Sequence, residues 1–71
     1  MKDIIVRIKN NTANDFDIQE LVRSFAENAE TVTLGEEIMF KEYIRKGANQ
    51  LGIDLKDIQD VYNSYRKKLD S

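Results

Sequence analysis

Three polar side chains near the carboxyl end of the chain, Lys56, Gln59 and Asn63, are spaced by three and four residues. That spacing places them on one face of a helix. The amides of Gln59 and Asn63 could bond the edge of an adenine, and Lys56 could reach a phosphate or a guanine. The basic side chains that could hold phosphates around them are Arg45, Arg66, Lys67 and Lys68. The chemistry that these residue types offer is recognition of duplex DNA.

Three aspartates share the same segment and oppose that chemistry. Asp54, Asp57 and Asp60 recur every three residues. Over that span a helix turns through about 600°, so the three carboxylates do not point to one centre. The arrangement is a poor cage for calcium and lacks the spacing of an EF-hand, and no metal or cofactor is predicted. Asp54 suits a helix cap, whereas Asp57 and Asp60 would repel phosphates.

Catalysis is not expected of this chain. Its 71 residues include no His and no Cys, so the commonest general base and the best nucleophile are missing. Gly47 and Gly52 are separated like the glycines of a phosphate-binding P-loop, but Ile53 and Asp54 follow where that loop needs Lys and Ser or Thr. We therefore predict a protein that is not an enzyme and has no small-molecule substrate.

The length of the chain predicts one small domain over residues 1–71. Such a core gives only a few kcal/mol of net stability, and without Cys no disulfide adds to it, so we expect a homodimer. No apolar run reaches the roughly 20 residues that cross a membrane. The opening MKDIIVRIKN lacks the core of a signal peptide, so we expect a cytoplasmic protein with no membrane partner.

The formal net charge is −2, but the charges are distributed unevenly. Residues 15–37 contain seven acidic side chains and one basic side chain, Arg23. Residues 38–71 contain seven basic and five acidic side chains, and residues 1–14 contain three basic and one acidic. This distribution excludes a strongly basic nucleic-acid binder and is compatible with a binder that has a local basic patch.

The amino-terminal segment predicts a short β-strand. Ile4, Val6 and Ile8 alternate with mostly polar residues, which is the period of a half-buried strand. A lone strand must pair with another strand to satisfy its backbone. Two partners are available: the segment Thr31–Leu34, which also alternates, and the same strand of a second subunit.

A first amphipathic helix is predicted over residues 15–30, with Asp15 or Asp17 as its cap. Its apolar positions recur at offsets of three, four, seven and eight, so they form one stripe. The stripe consists of Ile18, Leu21, Val22, Phe25, Ala26 and Ala29.

Two further helices are predicted downstream. The second begins near Thr33, which forms a capping-box pattern with Glu36. Gly47 lies inside it and would allow close packing of another element. Gly52 ends it, and Asp54 caps the third helix. The inner sides of these two helices are predicted to consist of Ile38, Phe40, Ile44, Ala48 and Leu51, and of Leu55, Ile58, Val61, Tyr62, Tyr65 and Leu69.

The segment from Ile44 to Tyr65 resembles the helix-turn-helix motif of small bacterial and phage repressors. In that family a small residue of the first helix packs against the second helix, and a glycine four residues later makes the turn. Ala48 and Gly52 stand at those positions, and apolar residues follow the family's pattern at Leu51, Ile53, Ile58 and Val61. The resemblance covers about 22 residues and implies a DNA-binding hairpin from Phe40 to Tyr65, with the base-facing and phosphate-binding residues named above.

A second resemblance involves the predicted strand. IIVRIK, the following helix and TVTLGEEIMFKEYI are loosely similar to ribbon-helix-helix repressors. Strands from two subunits of those proteins pair into a ribbon that enters the major groove. The resemblance implies that Arg7 and Lys9 project from the ribbon toward DNA. The alternative is an ordinary edge strand whose positive charges prevent unwanted pairing.

Two hypotheses follow for a mainly α fold with a short N-terminal strand and three helices, the last two forming a tight helix-turn-helix-like hairpin. The first is a DNA-binding transcriptional regulator of phage or mobile-element origin. The second is a non-enzymatic protein-binding module or inhibitor, which uses an acidic helical surface to mimic nucleic acid or to dock on a host protein. The expected partner is therefore duplex DNA or a host protein.

Overall fold

A computed structural model describes residues 2–70, which form four helices and contain no strand. The helices are α1 (Lys2–Lys9), α2 (Asp15–Glu27), α3 (Leu34–Leu51) and α4 (Leu55–Asp70). The prediction of a mainly α fold is confirmed, and the prediction of an N-terminal strand is wrong. No helix within these residues combines the length and the apolar character needed to cross a membrane.

The segment predicted to be a strand is helix α1. Ile4 and Ile8 lie one helical turn apart, and both are buried, whereas Val6 is 48% exposed. A strand would place all three side chains on one face, but a helix rotates Val6 away from the other two. The helix ends at Lys9 and is followed by a turn in which Asn11 has a left-handed φ of 59° and the Thr12 N–H donates to the Arg7 carbonyl at 2.8 Å.

The segment Thr31–Leu34, one of the two candidate partners for that strand, is not a strand either, because its last two residues form the start of helix α3. Thr33 is the N-cap of α3, and its hydroxyl accepts from the Glu36 N–H at 3.2 Å. The Glu36 carboxylate accepts in return from the Thr33 N–H at 3.1 Å. The predicted capping box is therefore confirmed, and it makes Thr33 the start of a helix.

Neither of the two predicted caps of helix α2 takes the N-cap position. Asn14 is the N-cap, and its side-chain oxygen accepts from the Asp17 N–H at 2.9 Å. The Asp17 carboxylate accepts from the Asn14 N–H at 3.2 Å, so the predicted cap Asp17 is the reciprocal member of a capping box. The other predicted cap, Asp15, is the first residue of the helix.

The core is built around α2. Phe25 lies between the other two long helices, with ring centroids 5.2 Å from Phe40 of α3 and 5.3 Å from Tyr62 of α4. Helix α4 packs mainly against α2 and contacts α3 much less. The buried cluster consists of Ile4, Ile8, Ile18, Leu21, Val22, Phe25, Phe40 and Ile44.

Helices α2 and α3 approach each other closely at Gly47. A Cβ atom at this position would overlap Cδ1 of the fully buried Ile18 and would lie 3.5 Å from Cδ1 of Ile8. A residue without a side chain is therefore needed for this packing, as the sequence predicts.

Three residues predicted to face inward are instead exposed, namely Ile38 at 56%, Leu55 at 47% and Leu69 at 51%.

A partly buried ion pair attaches α1 to the start of α2. The Arg7 guanidinium donates from Nε to Asp17 Oδ2 and from Nη2 to Asp17 Oδ1, each at 2.8 Å. The Asp17 residue is only 4% exposed. These hydrogen bonds from Arg7 hold the pKa of the Asp17 carboxyl below its ordinary value of 3.8, although burial opposes the shift.

The carboxyl ends of α1 and α2 each receive a side chain from a distant helix. Gln50 Nε2 of α3 donates to the Ile8 carbonyl at 2.8 Å. Arg66 Nη1 of α4 donates to the Ala26 carbonyl at 3.0 Å. The Ile8 carbonyl also accepts from the Asn11 N–H at 3.1 Å, and the Ala26 carbonyl accepts from the Ala29 N–H at 3.5 Å. Each side chain therefore adds a second hydrogen bond to a carbonyl at a helix end.

Candidate nucleic-acid interface

The turn between α3 and α4 determines where α4 lies. Gly52 has a φ of 69°, and the Ile53 N–H donates to the Ala48 carbonyl at 2.8 Å, as in a left-handed helix end. Asp54 then caps α4, because its Oδ1 accepts from the Lys56 N–H at 2.9 Å. The predicted helix end and restart are both confirmed, and only residues 52–54 separate the two helices.

Helix α4 turns its apolar side toward α2 and leaves the opposite side open. Ile58, Val61, Tyr62 and Tyr65 pack against the core. The residues predicted to face DNA bases, which are Lys56, Gln59 and Asn63, are all exposed on the other side. The fold thus brings them together on one accessible surface, which we call the α4 face.

Two amide side chains of the α4 face are already organised. Gln59 Nε2 donates to Asn63 Oδ1 at 3.0 Å, which leaves one N–H and the oxygen of Gln59 and both N–H groups of Asn63 available. Lys67 is exposed one turn beyond Asn63 on the same stripe, because positions four apart lie on one side of a helix. The α4 face therefore presents two amides, Gln59 and Asn63, between two cations, Lys56 and Lys67.

The α4 face also carries negative charge. Asp60 is exposed and lies only about 40° around the helix axis from Lys56, so it belongs to the same stripe. Asp57 is exposed at its edge, about 100° from Lys56. The two lysines and two aspartates make the face close to neutral, and contacts between this face and phosphates must overcome local repulsion.

Two of the predicted phosphate-binding residues near the end of α4 have other contacts. The Arg66 guanidinium faces α2, donates to the Ala26 carbonyl and pairs with Glu30 at 3.1 Å. The hydrogen bond to Glu30 is the largest cause that raises the pKa of Arg66. Lys68 is exposed, with Nζ 5.9 Å from the centre of the Tyr65 ring.

Arg45 belongs to a groove between α3 and α4, beside the α4 face. It is 61% exposed and pairs with Glu42 on its own helix at 3.0 Å. The groove has a volume of about 440 Å³, and Gln59 lines it from the α4 side. Arg45 and Gln59 therefore border the same depression, whereas Lys56 and Asn63 do not line it.

The groove itself was missed by the sequence reasoning. Its lining includes Val22, Phe25, Ile44, Leu55, Ile58 and Tyr62. All six belong to the predicted inner stripes of the helices, and the prediction requires neighbouring helices to cover each stripe completely. The width of those stripes is the sequence feature that could have predicted the groove, since α3 and α4 carry more apolar positions than contacts with α2 alone can bury.

The ribbon hypothesis is wrong, because the segment that it requires as a strand is α1. Arg7, predicted to project toward DNA, is bonded to Asp17. Lys9, the other predicted ribbon residue, is exposed at the end of α1 with Nζ 5.9 Å from the centre of the Tyr43 ring. Neither side chain belongs to the α4 face. Within residues 2–70, no group of three acidic side chains is placed to hold a metal ion.

Comparison with known proteins gives no match: no family model, no curated protein and no solved structure is similar to this chain.

Proposed function

We propose that this protein is a small, non-enzymatic DNA-binding regulator whose segment from Phe40 to Tyr65 acts as a helix-turn-helix-like hairpin. One observation supports the proposal above the others. After the turn at residues 52–54, α4 covers its apolar side with α2 and keeps Lys56, Gln59 and Asn63 exposed together. A helix supported from behind and polar in front has the form that the major groove accepts.

Each exposed side chain has a defined role in this proposal. The amides of Gln59 and Asn63 bond adenine edges, and their mutual hydrogen bond holds both in position before DNA arrives. Lys56 and Lys67, at the two ends of the row, contact phosphates or a guanine. Arg45 contributes from α3, where it is exposed beside Gln59. Arg66 stabilises the fold instead, because its guanidinium bonds α2.

The aspartates of the α4 face set the strength of the interaction. Asp57 and Asp60 lie beside the lysines, so phosphate contacts gain less than on a basic helix. Binding is therefore expected to be weak without the correct sequence and to fall steeply as salt increases. Recognition then depends on the amides more than on charge.

The test measures binding of the protein to mixed-sequence duplex DNA at about 20 mM and 200 mM salt. Lys56→Glu should weaken binding at low salt by about tenfold and make it less dependent on salt. Asp60→Asn should strengthen binding several-fold, because it removes a repulsive charge from the same stripe.

The matched control is Lys2→Glu, which makes the same charge change on the exposed start of α1. No binding of the parent protein at low salt would refute the proposal. Equal losses from Lys56→Glu and Lys2→Glu would show that net charge, and not the α4 face, carries the interaction.

A protein-binding module or inhibitor is the second candidate function, and the acidic surface of α2 and the α3 start supports it. Arg23 pairs with Glu20 and Glu27 and is the only basic residue between positions 15 and 37. Exposed residues along this surface include four acids, Asp15, Glu27, Glu30 and Glu36, so its charge is negative even though Glu27 and Glu30 pair with arginines. A basic host protein retained at low salt, by a protein that does not bind DNA, would favour this candidate. Loss of that partner in Glu27→Lys would assign the contact to α2.

A further inference from the structure

Apolar side chains remain exposed on one side of α3 and at the start of α4. Leu34 is 73% exposed, Ile38 56% and Leu55 47%. Leu34 and Ile38 are one helical turn apart, so they project from the same side of α3. Large apolar groups grouped in this way are typical of a surface that another protein covers.

The α3–α4 groove lies next to these side chains. Lys41 and Arg45 line the groove, and they also line a neighbouring hollow that includes Ile38. The apolar projection at Ile38 and the depression between the helices are therefore parts of one continuous surface. Leu34 and Ile38 protrude at one end of this surface, and the α3–α4 groove forms a depression at the other.

The charges on α3 are arranged in two halves. Residues 34–40 include the acids Glu36 and Glu37 and no base. Residues 41–51 include three bases, Lys41, Arg45 and Lys46, and one acid, Glu42. Two such helices that run in opposite directions place the acidic half of each against the basic half of the other.

The ion pairs now present on this surface are readily exchanged. Glu37 pairs with Lys41 at 3.3 Å, and Glu42 pairs with Arg45 at 3.0 Å, all within α3. The Lys41 and Arg45 side chains are 64% and 61% exposed, so solvent weakens both pairs. Replacing one partner by an equivalent carboxylate from another molecule loses little.

We propose that a second copy of this chain covers the surface, with the two α3 helices antiparallel across a two-fold axis near residue 39. In that register Glu37 of each copy lies opposite Lys41 of the other. Leu34 of each copy lies opposite the turn that contains Ile44 and Arg45, which is the side of α3 that borders the groove. The acids of each copy then meet the bases of the other, and the exposed apolar side chains of each copy meet the groove side of the other. A two-fold interface requires this reciprocity.

The length of the chain is consistent with this assembly. A domain of 71 residues without cysteine has a small core, and a covered apolar surface adds stability that the single chain lacks. The inference does not depend on DNA binding, because Glu37, Ile38 and Lys41 have no role in the proposed DNA contacts, although Arg45 and Gln59 border both surfaces.

The test begins with the mass in solution, measured by size-exclusion chromatography with light scattering. The parent protein should reach about twice 8.3 kDa at high concentration. Ile38→Asp should weaken association by at least about tenfold while keeping the helical circular dichroism, since this side chain is exposed in the single chain. Phe16→Asp, at a site 68% exposed on α2, is the matched control and should leave the mass unchanged.

Two charge reversals test the register. Glu37→Lys alone places cations opposite cations, and Lys41→Glu alone places carboxylates opposite carboxylates, so each variant should be monomeric. Mixed in equal amounts, the two variants should form a heterodimer, because both interchain pairs again join opposite charges, one in the parent orientation and one reversed.

Three results would overturn the proposal. The first is a parent protein that stays monomeric up to about 0.5 mM. The second is an Ile38→Asp variant that dimerises as well as the parent. The third is a mixture of the two charge variants that shows no heterodimer.

Discussion

Gly47→Ala should destabilise this protein, although alanine is the better helix former. In the interior of α3 the substitution gains about 1 kcal/mol from helix propensity. The added methyl overlaps Cδ1 of Ile18, so the end of this fully buried side chain must shift against its neighbours in the core. Overpacking of this kind costs about 1–3 kcal/mol, so the expected net loss of unfolding free energy is about 1 kcal/mol. The melting temperature should fall by about 4–8 °C.

The structural cause is testable by a double-mutant cycle. Ile18→Val removes the Cδ1 atom that the new methyl meets, and alone it should cost about 1 kcal/mol. In the Ile18→Val background the nearest remaining neighbours of a Cβ at position 47 lie 3.4 and 3.5 Å away, which leaves room for it. Gly47→Ala should then stabilise by up to about 1 kcal/mol, a coupling of about 2 kcal/mol between the two sites.

Urea unfolding followed by circular dichroism measures the unfolding free energy of the parent protein, of the two single variants and of the double variant. Gly35→Ala is the matched control, since Gly35 also lies in α3 and a Cβ there would meet nothing within 4 Å. That change should be neutral or stabilising. Additive effects of Gly47→Ala and Ile18→Val, within about 0.5 kcal/mol, would refute the packing explanation.

Two further predictions concern local contacts that hold the helices. Asp17→Asn should lower the unfolding free energy by about 1–2 kcal/mol at neutral pH, a range reduced because its partner Arg7 is 43% exposed. The folded pKa of Asp17 lies below its ordinary value of 3.8. The extra unfolding free energy of the parent protein over Asp17→Asn should therefore be complete above pH 3.8 and shrink as the pH falls through the folded pKa. Urea midpoints of the two proteins that differ by the same amount at every pH would contradict this reasoning. Gly52→Ala should cost about 1 kcal/mol because its φ is 69°, and Gly52→Asn should cost less, whereas equal thermal shifts would argue against a backbone cause.

Structure that depends on residues close in sequence could be predicted. The capping box of α3 joins Thr33 to Glu36, and the end of α3 requires a left-handed residue at Gly52, so each is readable from a few positions. Helix α1 could not be identified because residues four apart share a face in both a strand and a helix. Ile4 and Ile8 fit both periods, and only the exposure of Val6 separates them.

Parts of the candidate site that depend on distant residues could not be predicted. The spacing of Lys56, Gln59 and Asn63 correctly indicated a shared exposed face, because helical periodicity alone determines it. The orientation of Arg66 depends on Ala26 and Glu30, which lie 40 and 36 positions away, and no local pattern indicates that pairing. The groove likewise depends on how far α3 and α4 separate over α2.

The bonds from Gln50 to Ile8 and from Arg66 to Ala26 have a consequence for the order of folding. Each closes the end of an early helix with a residue made about 40 positions later, at separations of 42 and 40. During synthesis, α1 and α2 emerge with only local backbone donors to these carbonyls, from Asn11 and Ala29, and the side-chain donors are added only when α3 and α4 have followed. The first half of the chain is therefore completed by the second, which favours folding of residues 2–70 in one cooperative step after synthesis over stepwise folding from the amino terminus.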